Sequence, residues 1–245
     1  MPSFHAIIKT PFEHFLLFPG GPFAILAHMN ERLLKLLEES AAAVHVALDQ
    51  RALALFDRFY RELLVWNEKI NLVSFHTPEE VVIKHFVDSL TPLPYLDRPR
   101  GRLLDIGSGG GFPGIPLKIA CPGLNVSLLE ASRKKSSFLR HLLRSLPLEQ
   151  AEVIHVRVES AMRGETHHGK FDTVISRAAF KLPELFTMGR FFLTPGGLLI
   201  AMKGPRGDTE TGVDQGPNMR RIALHDLLLP HGEGQRKILI FQADK

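Results

Sequence analysis

One cysteine in 245 residues rules out an intrachain disulfide, so the fold must stand on packing alone. Cys121 lies between Ala120 and Pro122 and reads as a structural thiol at a helix end, and this usage points to a reducing, cytoplasmic setting. Long apolar runs are missing too: no stretch nears the roughly 18 uncharged residues that a membrane helix needs. No Gly-x-Ser-x-Gly elbow sits at a strand turn and no Cys–His pair is placed for nucleophilic work, which disfavours hydrolytic chemistry. Metal ligation is unsupported despite 12 histidines, because His167-His168 sits beside Gly164 and Gly169 without Cys or carboxylate at ligand spacing. No internal repeat is present.

What is present is ordinary globular composition, 44% apolar and 23% charged, on a length that suits one main core with an appendage. Charge is uneven: residues 1–100 carry 10 Lys+Arg against 12 Asp+Glu, whereas residues 101–245 carry 20 against 14. That basic excess fits a polyanionic partner, although it is also compatible with an ordinary enzyme.

Residues 1–28 hold Pro2, Pro11, Pro19, Pro22 and the Gly20-Gly21 pair without sustained periodicity, and read as an irregular extension; Met29 is the expected physiological start. A secretory signal is the competing reading of Phe15–Phe18, but that run is short and no basic region precedes it. Apolar residues at three and four spacing (Leu33, Leu34, Leu37; Leu55, Phe56, Phe59, Leu63) predict helices from Asn30 to about Val46 and from Asp49 to Trp66. Pro78 opens a third helix running to Leu90, with Thr77 as N-cap. Beyond Pro99 the period changes. Leu103–Ile106, Val126–Leu129, Val153–Val158, Thr173–Ile175 and Leu198–Met202 read as parallel strands, with helices from Pro113, Ser132–Leu146 and Leu182–Leu193 between them. Strands near Ile222 and at Ile238–Phe241 bring the expected sheet to seven. Residues 204–219 are expected to form a polar loop, either bordering the substrate opening or merely connecting.

The strongest chemical signal runs from Leu103 to Pro116: an apolar strand, an acid at its end, alternating glycines and a helix start. Gly107, Gly109 and Gly111 permit a tight turn and close backbone approach by a ligand. Gly109, Gly111 and Gly114 also satisfy the dinucleotide fingerprint, so spacing alone does not choose the ligand. Asp105 favours S-adenosylmethionine, since a carboxylate there repels a pyrophosphate and suits a cationic methionine end. Glu130 follows the next strand, where such folds place an acid for ribose hydroxyls, though it also suits the dipole of the helix that follows. Val158-Glu159 either borders an adenine or is structural. Arg133, Lys134, Lys135, Arg140 and Arg144 fall within one helix with no acid between them, which is either a solvated face or an RNA phosphate track that Arg206, Arg220 and Arg221 would extend.

These residues, with Trp66–Val73, Lys84–Leu90, Ile175–Ala178 and Met202–Gly204, resemble the RsmG (GidB) family of bacterial 16S ribosomal RNA guanine-N7 methyltransferases over about residues 50–245. The resemblance implies an α/β fold: a Rossmann-like, seven-stranded class I methyltransferase sheet (99–245) behind an N-terminal helical cap (29–98). It implies that Asp105, Gly107, Gly109, Gly111, Phe112, Glu130, Ala131, Ser132, Val158, Glu159 and Arg177 bind S-adenosyl-L-methionine. It also makes His85, Asp88, Arg177 and Lys203 the candidates for catalysis on the RNA side; read without it, His85 and Asp88, three apart on one helix, are better taken as satisfying each other or a cap. Phe112, Arg177 and Phe180 are candidate stacking partners for the exposed base. The implied partner is 16S ribosomal RNA or the small subunit, acted on by a cytoplasmic monomer without metal. Ala178-Ala-Phe-Lys181 departs from the family pattern. A methyltransferase for another substrate and a non-enzymatic binder are the rival classes.

Overall fold

The computed structural model describes residues 28–204, 215–216 and 218–244. The 1–28 extension, except His28, and most of the 204–219 loop, including Arg206, therefore lie outside the described residues.

Two amphipathic helices come first, α1 (Glu31–Ala43) and α2 (Gln50–Ile70). Each starts where a polar side chain satisfies an orphan backbone donor: Asn30 accepts from Leu33 N–H and Asp49 from Ala52 N–H. The segment opened by Pro78 is not a plain α-helix as expected. Short α3 (Pro78–Glu80) and α4 (Asp88–Leu90) flank a π-helical stretch, Val81–Val87, while Thr77 caps as anticipated. Such widened turns recur at functional sites, and this one carries His85.

The sheet contains β1 (Arg102–Ile106), β2 (Asn125–Leu129), β3 (Ala151–Ile154), β4 (Phe171–Arg177), β5 (Leu193–Lys203), β6 (Gln215–Gly216), β7 (Met219–Leu228) and β8 (Gln235–Ala243). Their order is β3-β2-β1-β4-β5-β8-β7-β6, parallel through β5 and antiparallel beyond it. Eight strands replace the expected seven because Gln215 and Gly216 pair with Arg220 and Met219, so these positions are strand rather than loop. A second correction concerns β3, which ends at Ile154: Val158 and Glu159 open the short helix α7 (Val158–Ala161) instead of extending the strand.

Helices α5 (Gly114–Ala120), α6 (Arg133–Ser145) and α8 (Leu182–Phe192) cover the sheet. Alternating side chains point to opposite faces of each strand, and the core divides accordingly. Leu103, Val126, Leu128 and Ile200 join Phe56, Phe59 and Phe86 of the cap in one buried cluster. Leu104, Ile106, Leu199 and Phe241 join Leu182, Leu185 and Phe192 in the other. The N-terminal helices thus share a core with one sheet face. No helix among the described residues is long and apolar enough to cross a membrane.

Candidate active site

The chain runs outward from β1 to β2 and β3, then returns to place β4 on the other side of β1. Ligands in such sheets bind outside the strands' carboxyl ends at that reversal. The glycine turn follows β1 and Arg177 ends β4, so sequence segments some 70 residues apart meet there; Ser176 Oγ donates to Ile106 O at 3.0 Å and ties the two strand ends together.

Gly107, Gly109 and Gly111 have φ of 78°, 56° and 90°, the left-handed region that a side chain disfavours. A Cβ at Gly107 would lie 3.0 Å from Ala179 Cβ, whereas one at Gly109 would meet nothing nearer than Gly107 O at 3.8 Å. Space is therefore open above Gly109. Its N–H donates to Glu130 Oε2 at 2.9 Å, and Ser132 N–H donates to Glu130 Oε1 at 2.7 Å. Glu130 fastens the turn to the start of α6, whose N-cap is Ser132; Ala131 is exposed beside it.

Asp105 is fully buried beneath this turn, not exposed within it. Its Oδ2 accepts from Gly114 N–H at 3.0 Å, and Oδ1 has no partner. Burial pushes the carboxyl up to about 7 against the opposing pull of the Gly114 N–H. The charge argument from sequence is weakened to that extent, because a carboxyl near half protonation repels phosphate less than an ionised one. The orphan Oδ1, the open space over Gly109 and the Glu130 carboxylate still fit a ligand with a cationic amino group and hydroxyls.

On the other side of the reversal, His85, Asp88, Arg177 and Lys203 converge on one cleft of about 370 Å³, with Ser74, Lys84 and Arg236. Arg177 organises it. One guanidinium nitrogen donates to Lys84 O at 2.9 Å and Asp88 Oδ2 at 3.1 Å, and the other approaches His85 Nδ1 at 3.3 Å. His85 Nε2 lies 3.2 Å from Ser74 O, and a carbonyl there requires the proton on Nε2, which leaves Nδ1 to accept from Arg177. Burial first, and the Arg177 charge second, push the imidazole down to about 4, so the ring is neutral at physiological pH. His85 and Asp88 do not satisfy each other: Asp88, its side chain 5% exposed, is clamped between Arg177 and Arg236, whose Nε donates to Oδ1 at 3.0 Å.

Arg236 was not singled out from the sequence. It lies on β8, 148 positions from Asp88, and nothing local marks it. Phe112 is placed differently from its expected stacking role. Its ring stacks on Phe59 at 5.2 Å and carries the Arg177 guanidinium 5.2 Å from its centroid, which leaves no free face for a base. Phe180 is half-buried beside Gly107, and Lys203 Nζ donates to its carbonyl at 2.7 Å. Val158 is buried and Glu159 exposed on α7. No metal-holding cluster occurs among the described residues.

A glycine turn at the reversal of a mostly parallel sheet, closed by an antiparallel pair, is the architecture of S-adenosylmethionine-dependent methyltransferases. Solved structures agree in fold: a SAM-dependent methyltransferase from Aquifex aeolicus aligns with TM-score 0.52 and 13% identity over 68% of this chain and 94% of that one. An O-methyltransferase from Bacillus cereus in complex with SAH aligns with TM-score 0.56 and 18% identity over 77% and 91%. In sequence, a family model described as rRNA small subunit methyltransferase G matches residues 52–237. Ribosomal RNA small subunit methyltransferase G of Syntrophus aciditrophicus is 50% identical, covering 85% of this chain and 88% of its own length. The Geotalea uraniireducens protein of the same name is 44% identical over 87% and 98%. The chain belongs to the rRNA small subunit methyltransferase G family.

Proposed function

We propose that this protein transfers a methyl group from S-adenosyl-L-methionine to N7 of a guanine in 16S ribosomal RNA, with residues 29–98 as cap and 99–245 as the catalytic domain. The observation that carries the reading is the cleft in which His85, Asp88, Arg177, Lys203 and Arg236 meet beside the glycine turn. The donor, when bound, supplies an electrophilic methyl on a sulfonium. Guanine N7 has a free lone pair at neutral pH, so the chain need not remove a proton, and positioning dominates.

The residues divide that work. Asp105, through the Gly114 N–H, and Glu130, through the Gly109 and Ser132 N–H groups, hold the turn open for the donor. Gly107, Gly111 and the Glu130–Ser132 turn line the donor side, while Val158 and Glu159 stand beyond it on α7. Arg177 faces both halves, over Phe112 and against Asp88. A neutral His85 is a positioning residue that fixes the guanidinium instead of relaying a proton. Arginine donors in the cleft suit the O6 edge of guanine, and Phe180 is the remaining aromatic for stacking. Lys203 holds the Phe180 carbonyl. The cytoplasm is the proposed location. A monomer is proposed because Ile222 and Leu228 are the only exposed large apolar side chains among the described residues.

The test is transfer of tritiated methyl to small-subunit RNA, followed by nucleoside analysis. Label in 7-methylguanosine, lost in Arg177→Ala, is the expected result. Label in protein or small molecules with none in RNA would overturn the substrate assignment.

A further inference from the structure

The surface of α6 breaks two electrostatic rules of helices at once. Its first three residues, Arg133, Lys134 and Lys135, are cations in the turn where the macrodipole favours anions. Arg140 and Arg144 are a like-charge pair at i,i+4, which destabilises an isolated helix. Glu130 supplies one carboxylate at the start of the helix, but among the described residues none of the five cations makes an ion pair, and the acid that meets the α6 surface, Glu62, lies 2.7 Å from His141 instead. Some cations elsewhere are paired, as Arg32 is with Glu79, Lys35 with Glu39, Arg61 with Asp57 and Arg98 with Asp172, and single exposed cations such as Arg51, Arg58 and Arg190 stand without an ion pair among the described residues, so what marks α6 is the alignment of its cations along one face.

Helical geometry arranges the unpaired charges. At 100° per residue Arg133, Ser137, Arg140 and Arg144 fall on one stripe, all exposed, opposite the buried Phe138 and Leu142. At ~1.5 Å rise per residue the stripe spans ~16 Å. It begins at the Glu130–Ser132 turn, and α6 packs under the glycine turn, where Leu139 would be 3.4 Å from a Cβ at Gly111. The helix is held there from the other side by Trp66 against Phe138 and His141, at centroid distances of 5.6 and 5.3 Å. A row of exposed cations on a packed helix that leads to the glycine turn is suited to a phosphate backbone. Arg220 and Arg221 do not extend it, since they lie on β7 at the opposite end of the sheet from β3 and α6.

We propose that the Arg133–Arg140–Arg144 stripe binds backbone phosphates of the substrate RNA, flanking the target base and orienting it toward the cleft. The proposal rests on the RNA reading above. It is tested on the full chain with Arg133→Ala/Arg140→Ala/Arg144→Ala and the matching triple Lys variant, using small-subunit RNA transcript as the probe. The alanine variant is expected to bind that RNA ~10–100-fold more weakly near 0.1 M salt, and to lower the slope of log affinity against log salt by ~2–3, one phosphate per side chain. The loss should fall on KM for RNA, and the lysine variant should restore binding because charge, not fork geometry, is used. The alanine variant's melting temperature should equal or exceed that of wild type, since repulsion is relieved without loss of an ion pair. Unchanged RNA affinity and salt slope would overturn the proposal, as would a lower melting temperature with the same slope, or binding to phosphatidylserine vesicles in place of RNA. Failure of the wild type to methylate RNA, with the salt slope still dependent on the stripe, would instead strike at the catalytic reading.

Discussion

The two halves of the proposed active site use opposite means to hold their geometry. The donor half is built from backbone and carboxyl groups: the glycine turn is tied down by Asp105 and Glu130, and no guanidinium or ammonium among the described residues donates to it. The acceptor half is built from cations around one acid, with Asp88 between Arg177 and Arg236 and a neutral imidazole alongside. Each suits the charge of the ligand proposed for it, a cationic donor on one side and an electron-rich base within a polyanion on the other. The halves also titrate in opposite senses. Asp105 is raised to about 7 by burial, so its contribution to stability is fully present below 3.8 and lost as pH rises through about 7. His85 is lowered to about 4, so its contribution is present above 6.5 and lost as pH falls through about 4. Between those limits the two slopes oppose each other.

The largest expected effect comes from breaking the donor half. Gly107→Asp places a side chain at a φ of 78° with its Cβ 3.0 Å from Ala179, and should cut both S-adenosylhomocysteine affinity by calorimetry and methyl transfer by ~100-fold or more, with the far-ultraviolet dichroism retained. Arg177→Ala breaks the acceptor half instead. It should lower kcat ~100-fold while leaving S-adenosylhomocysteine affinity within ~10-fold, and cost ~2 kcal/mol of stability in urea because Asp88 loses a charged donor. Arg177→Lys should not rescue it, since one ammonium cannot reach Lys84 O, Asp88 and His85 together.

A finer comparison uses pH. Asp105→Asn should leave a melting temperature that rises with pH between about 4 and 6.5, the His85 slope alone, and His85→Gln one that falls as pH rises between 3.8 and about 7, the Asp105 slope alone. Wild type, with both groups, should change least where the two windows overlap. If both variants kept the wild-type profile, the opposed titration would be refuted. The smallest effect belongs to Thr77→Ala. Loss of its cap on Glu80 N–H should cost ~1 kcal/mol in chemical denaturation and loosen the segment carrying His85 and Asp88, without altering S-adenosylhomocysteine affinity.

Much of this molecule was decided locally and is therefore readable in sequence. Amphipathic spacing set α1 and α2, Thr77 and Ser132 set helix starts, and short apolar runs set the strands, since each depends on neighbours within a few residues. The glycine turn was equally legible, because positive φ is a local demand. What only tertiary structure decided was everything that needs distant residues to meet. The π-helical stretch at Val81–Val87, the early end of β3, the eighth strand, the burial of Asp105 under its own turn, the occupied faces of Phe112 and the Arg236 arm of the Asp88 clamp all fall in that class. The physical reason is that burial and charge pairing are properties of a place in space. The backbone writes helices and turns with hydrogen bonds a few residues long, whereas a carboxylate held between strands 4 and 8 exists only once the sheet has closed.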